Sequence, residues 1–334
     1  MRDKQLKQPL RQARGWQGQA GPATKLTVKR KLITLAIIVL LWLGANLIHL
    51  LWIQVRYNSW NRKVARTPCG LLENAESFSC GSGESALIFI HGFADLPHGW
   101  KRITERLTNS HEVACHAIRV PRWGEDLKSA RGVSIEEIRA TVDKKVKELS
   151  ASHRNIWLVG HSLGCAIAID AVPRNKEHIS GLVMMAPLLR VSNRRVPCFT
   201  ARFWYSLGKH LLFAARTFES PFTERITAAD DPDFSYAVDK FVPYSVYNIL
   251  FQITETNRSI DLPKKLPIFC ALSTRDKVID SDFARMWFDS LANPKELYLD
   301  NESEHALQVG KNWKELTDRF YQFIEKSNTH ENKI

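Results

Sequence analysis

Between Asn155 and Ala171 the chain reads NIWLVGHSLGCAIAIDA, an apolar run that stops at a serine set between two glycines. The NIWLVG segment lacks polar alternation, which predicts a strand buried on both faces. Similar runs recur as ALIFI (Ala86–Ile90), EVACHAIRV from Glu112, ISGLVMMAP from Ile179, LPIFCALS from Leu266 and KELYLD from Lys295. Helical patterns separate them. One begins near Trp100, one follows the serine, and others run through Phe283–Leu291 and NWKELTDRFYQFIEK. In SIEEIRATVDKKVKEL, Ile135, Ile138, Val142, Val146 and Leu149 share one face at spacings of three and four, with Ser134 and Glu137 as a capping box. Alternation of this kind, with continuous apolar strands, predicts an α/β fold: a mostly parallel central sheet with helices on both faces.

From Pro187 to about Pro263 the alternation stops, and this insert holds 13 of the chain's 33 aromatic side chains. Phe199, Phe203, Trp204, Tyr205, Phe213 and Phe218 are interleaved there with basic residues. They are expected either to meet an apolar ligand or a bilayer surface, or to form a small core of the insert's own.

The net charge of +12 invites a nucleic-acid reading, but its distribution argues against one. Arg2, Lys4, Lys7, Arg11, Arg14, Lys25, Lys29, Arg30 and Lys31, against Asp3 alone, place most of the excess in residues 1–31, and no basic stripe follows. That tail runs into Leu32–Val55, which contains no Lys, Arg, Asp or Glu. At about 1.5 Å per residue the run reaches about 36 Å, enough for a hydrocarbon core of about 30 Å. It is longer than a signal-peptide core and lacks an A-x-A site, so a retained transmembrane anchor is expected, with Trp52, Tyr57 and Trp60 at the interface. Nine basic residues before the span and four after it (Arg56, Arg62, Lys63, Arg66) put the N-terminus in the cytoplasm and the rest on the exported side, periplasmic or lumenal. Cys69 and Cys80 could close a small loop, Cys165 and Cys270 fall in core elements, and Asn257 and Asn301 lie in N-x-S/T sequons.

GHSLG, Gly160–Gly164, fits the G-x-S-x-G elbow in the context the motif needs, a buried strand before it and a helix after it. Ser162 is therefore the candidate nucleophile. A serine requires a base and an acid to orient that base. His305, in NESEHALQ after the last strand, and Asp276, in LSTRDKVID after the preceding one, both stand at strand carboxyl ends. Asp280 and Asp282 are rivals that read better as turn or helix-capping residues. For the oxyanion, the backbone N–H of Leu163 follows the nucleophile and that of Phe93 comes from the HGF turn after ALIFI, where Gly92 allows close approach.

IFIHGF, GHSLG, STRDKVID and SEHAL together resemble the signature blocks of the α/β-hydrolase superfamily, in the group of monoacylglycerol lipases, lysophospholipases and carboxylesterases. The resemblance spans about Ala86 to Lys326. It departs at VPRWGEDL, where members of the group often carry a Gly-His-Gly turn. It implies an α/β-hydrolase fold, a lid formed by the insert at about 187–263, an acyl-ester substrate and no metal or organic cofactor; the insert's aromatics, Phe199, Phe203 and Trp204 among them, are the expected contacts for the acyl chain. With the charge and apolar pattern upstream, the expected organisation is a basic tail (1–31), an anchor (32–55), a linker (56–85), the hydrolase domain (86–326) and a short tail (327–334). The expected activity is ester hydrolysis through an acyl-enzyme on Ser162; acyl transfer, thioester hydrolysis and a catalytically silent scaffold are the alternatives. The expected partners are the acyl ester and a lipid bilayer, and no nucleic acid.

Overall fold

The computed structural model describes residues 22–194 and 198–331. The expected tail residues Arg2, Lys4, Lys7, Arg11 and Arg14 lie outside them. In chain order the elements are α1 (Pro22–Asn61), β1 (Phe78–Cys80), β2 (Ser85–Ile90), α2 (Lys101–Ser110), β3 (Val113–Ile118), α3 (Leu127–Ala130), α4 (Ile135–Ser150), β4 (Asn155–His161), α5 (Leu163–Ala171) and β5 (Ile179–Met185). There follow α6 (Ala201–Leu211), β6 (Thr217–Glu219), β7 (Arg225–Ala228), β8 (Asp231–Ala237), β9 (Phe241–Pro243), α7 (Tyr244–Asn257), β10 (Ile268–Ser273), α8 (Ser281–Ser290), β11 (Lys295–Asp300) and α9 (Trp313–Glu331).

The apolar runs form the central sheet. Its seven strands lie in the order β1-β3-β2-β4-β5-β10-β11, all parallel except the antiparallel edge strand β1. All six residues of β10, and all of β4 after Asn155, are buried, as unbroken apolar strands require. The helices pack in two groups, α2 with α9, and α4 and α7 with α5. Ile135, Ile138, Val142, Val146 and Leu149 of α4 are all buried, each worth roughly 1.5–3 kcal/mol over exposure. Because β3 lies on one side of β2 and β4 on the other, the connections diverge between β2 and β4. The crevice outside the carboxyl ends of those two strands is where such sheets hold their sites.

Three details differ from the sequence reading. Ser134 Oγ accepts the Glu137 N–H at 3.1 Å, but the Glu137 carboxylate pairs with Arg122 at 2.9 Å instead of closing the capping box. Cys80 faces Cys115 across the β1–β3 pair, while the exposed Cys69 contacts Thr67, so these two cysteines close no loop. Asn257 is fully buried and donates to the Ala166 carbonyl at 2.7 Å, which leaves no room for a glycan.

The insert between β5 and β10 has two parts. Helix α7 buries Val246, Ile249, Leu250 and Ile253 and packs on α5, so it belongs to the main core. Helix α6, by contrast, buries none of its residues, and β6–β9 and β7–β8 form two small antiparallel pairs beside it. Helix α1 includes one segment, Thr27–Asn61, that is long and apolar enough to cross a membrane. Its lower end is not free: Ile53 and Trp60 are buried in a cluster with Leu72, Tyr236 and Phe241. Tyr57 and Trp60 therefore pack on Phe241, with ring centroids 5.7 and 5.9 Å away, rather than facing an interface. Trp52 stays exposed.

Candidate active site

The turn after β4 carries the signature of a strained elbow. Ser162 has φ 53° and ψ −115°, a conformation L residues rarely adopt, and α5 starts at the next residue. The chain is pressed so closely here that side chains at the flanks would not fit. A Cβ on Gly164 would lie 2.0 Å from the Ile90 carbonyl oxygen, and one on Gly160 would lie 2.5 Å from the Cys165 nitrogen. The serine is thereby lifted to the end of the sheet with the amino end of α5 behind it, where the helix dipole and free N–H groups favour negative charge.

His305 and Asp276 reach the same point from β11 and β10. Asp300, the last residue of β11, accepts the N–H groups of Glu302 and Ser303 at 2.8 Å each and folds the following loop back. Ser273 Oγ, at the end of β10, donates to the Ser303 carbonyl at 2.6 Å and ties the two loops together. The result brings His305 Nδ1 to 2.7 Å from Asp276 Oδ2 and His305 Nε2 to 2.9 Å from Ser162 Oγ. With the Nδ1 proton directed at the carboxylate, Nε2 is the acceptor of the serine O–H. The other Asp276 oxygen accepts the N–H of Val278 at 2.7 Å and of Ile279 at 3.1 Å. Burial pushes the Asp276 carboxyl up, but the His305 hydrogen bond and charge and these two N–H groups outweigh it and hold the pKa below its ordinary value. The rivals serve elsewhere: Asp280 caps α8 through the Phe283 N–H at 3.0 Å, and Asp282 is solvent-exposed.

Phe93 stands beside this group in the turn after β2, and a Cβ on Gly92 would fall 3.2 Å from the Ser162 Cβ. Among the described residues no acceptor takes the N–H of Phe93 or Leu163. The preceding His91 is fully buried and acts as a brace, with Nε2 accepting the Val120 N–H at 3.0 Å. Burial pushes its pKa down to about 4, so it is neutral at pH 7.

Ser162 and His305 lie on the wall of a cavity of about 780 Å³. Its lining is largely apolar and includes Leu188, Val191, Trp204, Phe218, Tyr247 and Phe251. Of the three insert aromatics expected to bind substrate, Trp204 lines this cavity. Phe199 and Phe203 do not: they sit on the outside of the insert, 56% and 41% exposed, because the inward positions of α6 are occupied by Tyr205 and Gly208.

A second polar group beneath His305 was not foreseen. His161 donates from Nε2 to the His305 carbonyl at 3.1 Å, and its Nδ1 lies 3.8 Å from the buried Asp95. Asp95 also accepts Tyr236 Oη at 2.9 Å and Gln308 Nε2 at 3.2 Å. The only local signal was the histidine inside the elbow motif; Asp95 comes from the turn after β2, and its further partners from β8 and the loop before α9. Among the described residues no cluster of His, Cys, Asp and Glu is arranged to hold a metal ion.

The sequence model of the alpha/beta hydrolase family matches residues 87–302, nearly two thirds of the chain. Among curated proteins, the chain is similar to the pimeloyl-[acyl-carrier protein] methyl ester esterase of Edwardsiella ictaluri, 24% identical over 219 residues that cover 65% of this chain and 74% of that protein. Among solved structures, one of two metagenome-derived lipolytic enzymes superposes with TM-score 0.64 and 16% identity, over 77% of this chain and 99% of its own. The monoacylglycerol lipase of Paleococcus ferrophilus superposes with TM-score 0.62 and 18% identity, over 75% and 98% respectively.

Proposed function

The chain belongs to the alpha/beta hydrolase family and is a hydrolase, and we propose that it is a membrane-anchored serine esterase acting on carboxylic esters with an apolar acyl chain. The observation that carries this reading is the continuous hydrogen-bonded line Asp276–His305–Ser162, with spacings of 2.7 and 2.9 Å, opening on an apolar cavity of about 780 Å³. The ester chemistry is supported by the esterase named among the relatives, and the apolar acyl chain by the cavity's lining.

In this reading Ser162 Oγ attacks the ester carbonyl while its proton passes to His305 Nε2. The anionic Asp276 stabilises the imidazolium that results. The carbonyl oxygen becomes an oxyanion held by the N–H groups of Leu163 and Phe93, a contribution of several kcal/mol to the barrier when both donors are preorganised. Collapse breaks the bond to the alcohol, which leaves with the proton from His305. Water, deprotonated by the same imidazole, then attacks the acyl-enzyme and releases the acid. His161 and Asp95 act as positioning residues that hold the His305 backbone.

We further propose that Leu32–Val55 is a retained single-pass anchor with the N-terminus cytoplasmic and that the insert serves as a lid; residues 56–85, expected as a linker, instead pack into the domain, with β1 in the central sheet and Trp60, Leu72 and Ala75 buried. Retention is supported by the burial of Ile53 and Trp60 in the domain's own packing, since cleavage of the helix would strip that cluster. The test is turnover of p-nitrophenyl esters from acetate to palmitate by purified wild type and Ser162→Ala. A chain-length optimum above acetate is expected, with kcat lowered by about 10⁴–10⁶ in the variant. Equal turnover by the variant would overturn the assignment.

A further inference from the structure

Among the described residues, the outer face of helix α6 is apolar and exposed. Phe203, Leu207 and Leu211 recur every four residues along it and, with Phe199 and Trp204, are 37–56% exposed. Its opposite side, at Tyr205 and Gly208, lines the cavity above Ser162. A wall one helix thick therefore separates the substrate cavity from whatever medium meets the outer face.

Helix α1 identifies that medium. Trp42 Nε1 and Asn46 Nδ2 both donate to the Leu211 carbonyl at 2.8 Å, and Asn46 Oδ1 accepts the Ala214 N–H at 3.2 Å. These bonds satisfy a carbonyl at the carboxyl end of α6 that the helix itself leaves unpaired. The Trp42 ring also lies 5.2 Å from Phe213. Asn46 is 2% exposed although it sits in the charge-free run, the placement expected of a polar group that needs a protein partner at membrane depth. At about 1.5 Å per residue, Asn46 lies about 14 Å and Trp42 about 20 Å inside the Val55 end of that run. Farther along, Arg56 forms a two-bond pair with Glu219 at 2.7 and 3.2 Å, where the run ends. The neighbouring α1 residues Leu43, Leu47, Ile48 and Leu51 remain exposed, so their apolar surface continues onto α6 through Trp42 and Phe213.

We propose that α1 and α6 form one membrane-inserted unit, in which Trp42 and Asn46 fix the depth of α6, bilayer hydrocarbon covers Phe199, Phe203, Leu207 and Leu211, and substrate reaches Ser162 from the leaflet beside α6. The proposal rests on reading α1 as an anchor and Ser162 as the nucleophile. It assigns α1 a second role beyond tethering: its polar side chains hold the lid.

The test uses the full chain in phosphatidylcholine vesicles, with a nitrobenzoxadiazole label on Leu207→Cys and the exposed Cys69 and Cys198 changed to Ser. Quenching by doxyl lipids together with protection from aqueous iodide is expected. Iodide quenching without doxyl quenching, in protein that resists carbonate extraction, would overturn the insertion of α6 while leaving the anchor reading intact. Extraction by carbonate would overturn both. Asn46→Leu should shift the label's strongest quenching from mid-chain toward headgroup-proximal doxyl positions; an unmoved profile would overturn the clamp. In Leu207→Asp, turnover of monooleoylglycerol held in the vesicles should fall about tenfold while p-nitrophenyl butyrate turnover in detergent stays within about twofold, because a charge at this depth opposes insertion alone. Equal loss on both substrates, or no loss on either, would contradict access from the leaflet, and the butyrate activity of the parent chain independently checks the serine-hydrolase reading.

Discussion

Helices α5 and α6 are both short and rich in apolar residues, yet all nine residues of α5 are buried and none of the eleven of α6 is. The first is enclosed by β4, α4 and α7 and gives the elbow a rigid backing. The second has the cavity on one side and, among the described residues, an exposed apolar face on the other. Composition separates them only in part: α5 carries Asp170 as its one charged residue, and α6 carries Arg202, Lys209 and His210. What differs is periodicity: α5 is apolar all round, whereas α6 places Phe203, Leu207 and Leu211 on one stripe and Arg202, Ser206 and Lys209 on another. A helix of the first kind builds a core, and one of the second kind lies at a boundary between media.

Substitutions in the two helices and the groups beside them test this difference. The largest effect belongs to the chemistry beside α5. Asp276→Asn should lower kcat by about 10⁴, since the amide no longer holds the required imidazole tautomer, while the cooperative unfolding transition persists. Steady-state kinetics and thermal denaturation of the same preparation check this, and a drop under tenfold would contradict the role.

Next come the glycines of the two helices. Gly164→Ala should cost about 3 kcal/mol by urea unfolding, because the new methyl meets backbone that cannot move aside. Gly208→Ala in α6 meets only the rim of the Phe218 ring, at 3.0 Å, and should change stability by less than about 1 kcal/mol. Equal costs would erase the distinction between a packed helix and a boundary helix.

The third expectation concerns pH. His91 beneath the elbow is neutral in the folded chain, with its pKa pushed down to about 4 by burial, against about 6.5 when unfolded. Between those values the unfolded chain binds more protons, so stability is lost as pH falls. The loss from this residue should be about 2 kcal/mol between pH 7 and pH 5. His91→Asn should remove that slope in urea titrations at the two pH values; an unchanged slope would show that other groups dominate.

The smallest effect is local. Thr200 caps α6 by accepting the Phe203 N–H at 3.2 Å, and Thr200→Ala should cost about 1 kcal/mol or less. It should appear as faster hydrogen exchange confined to the first turn of α6, with global stability unchanged.

The central sheet was legible because each strand announces itself over a few adjacent residues, as in ALIFI and NIWLVG, and the elbow because its glycines answer to a local steric demand. Ser162, Asp276 and His305 were legible because each follows a recognisable strand, and parallel strands bring their carboxyl ends to one edge. Edge strand β1 escaped notice because three residues carry no period. The outward turn of Phe199 and Phe203 was hidden because aromatic content says nothing about which side of a helix faces a cavity. Asn257 lies in a sequon, and only the packing of α7 on α5 shows that its amide is spent on the Ala166 carbonyl. The Asp95–Tyr236 and Asn46–Ala214 hydrogen bonds join residues more than a hundred positions apart, and no local pattern encodes such pairs.

The most direct measurement is to treat the full-length protein with a fluorophosphonate and locate the adduct by peptide mass spectrometry. A single adduct on Ser162 is expected, absent in Ser162→Ala and slowed in Asp276→Asn. Folded protein that forms no adduct, or forms one on another residue, would contradict it.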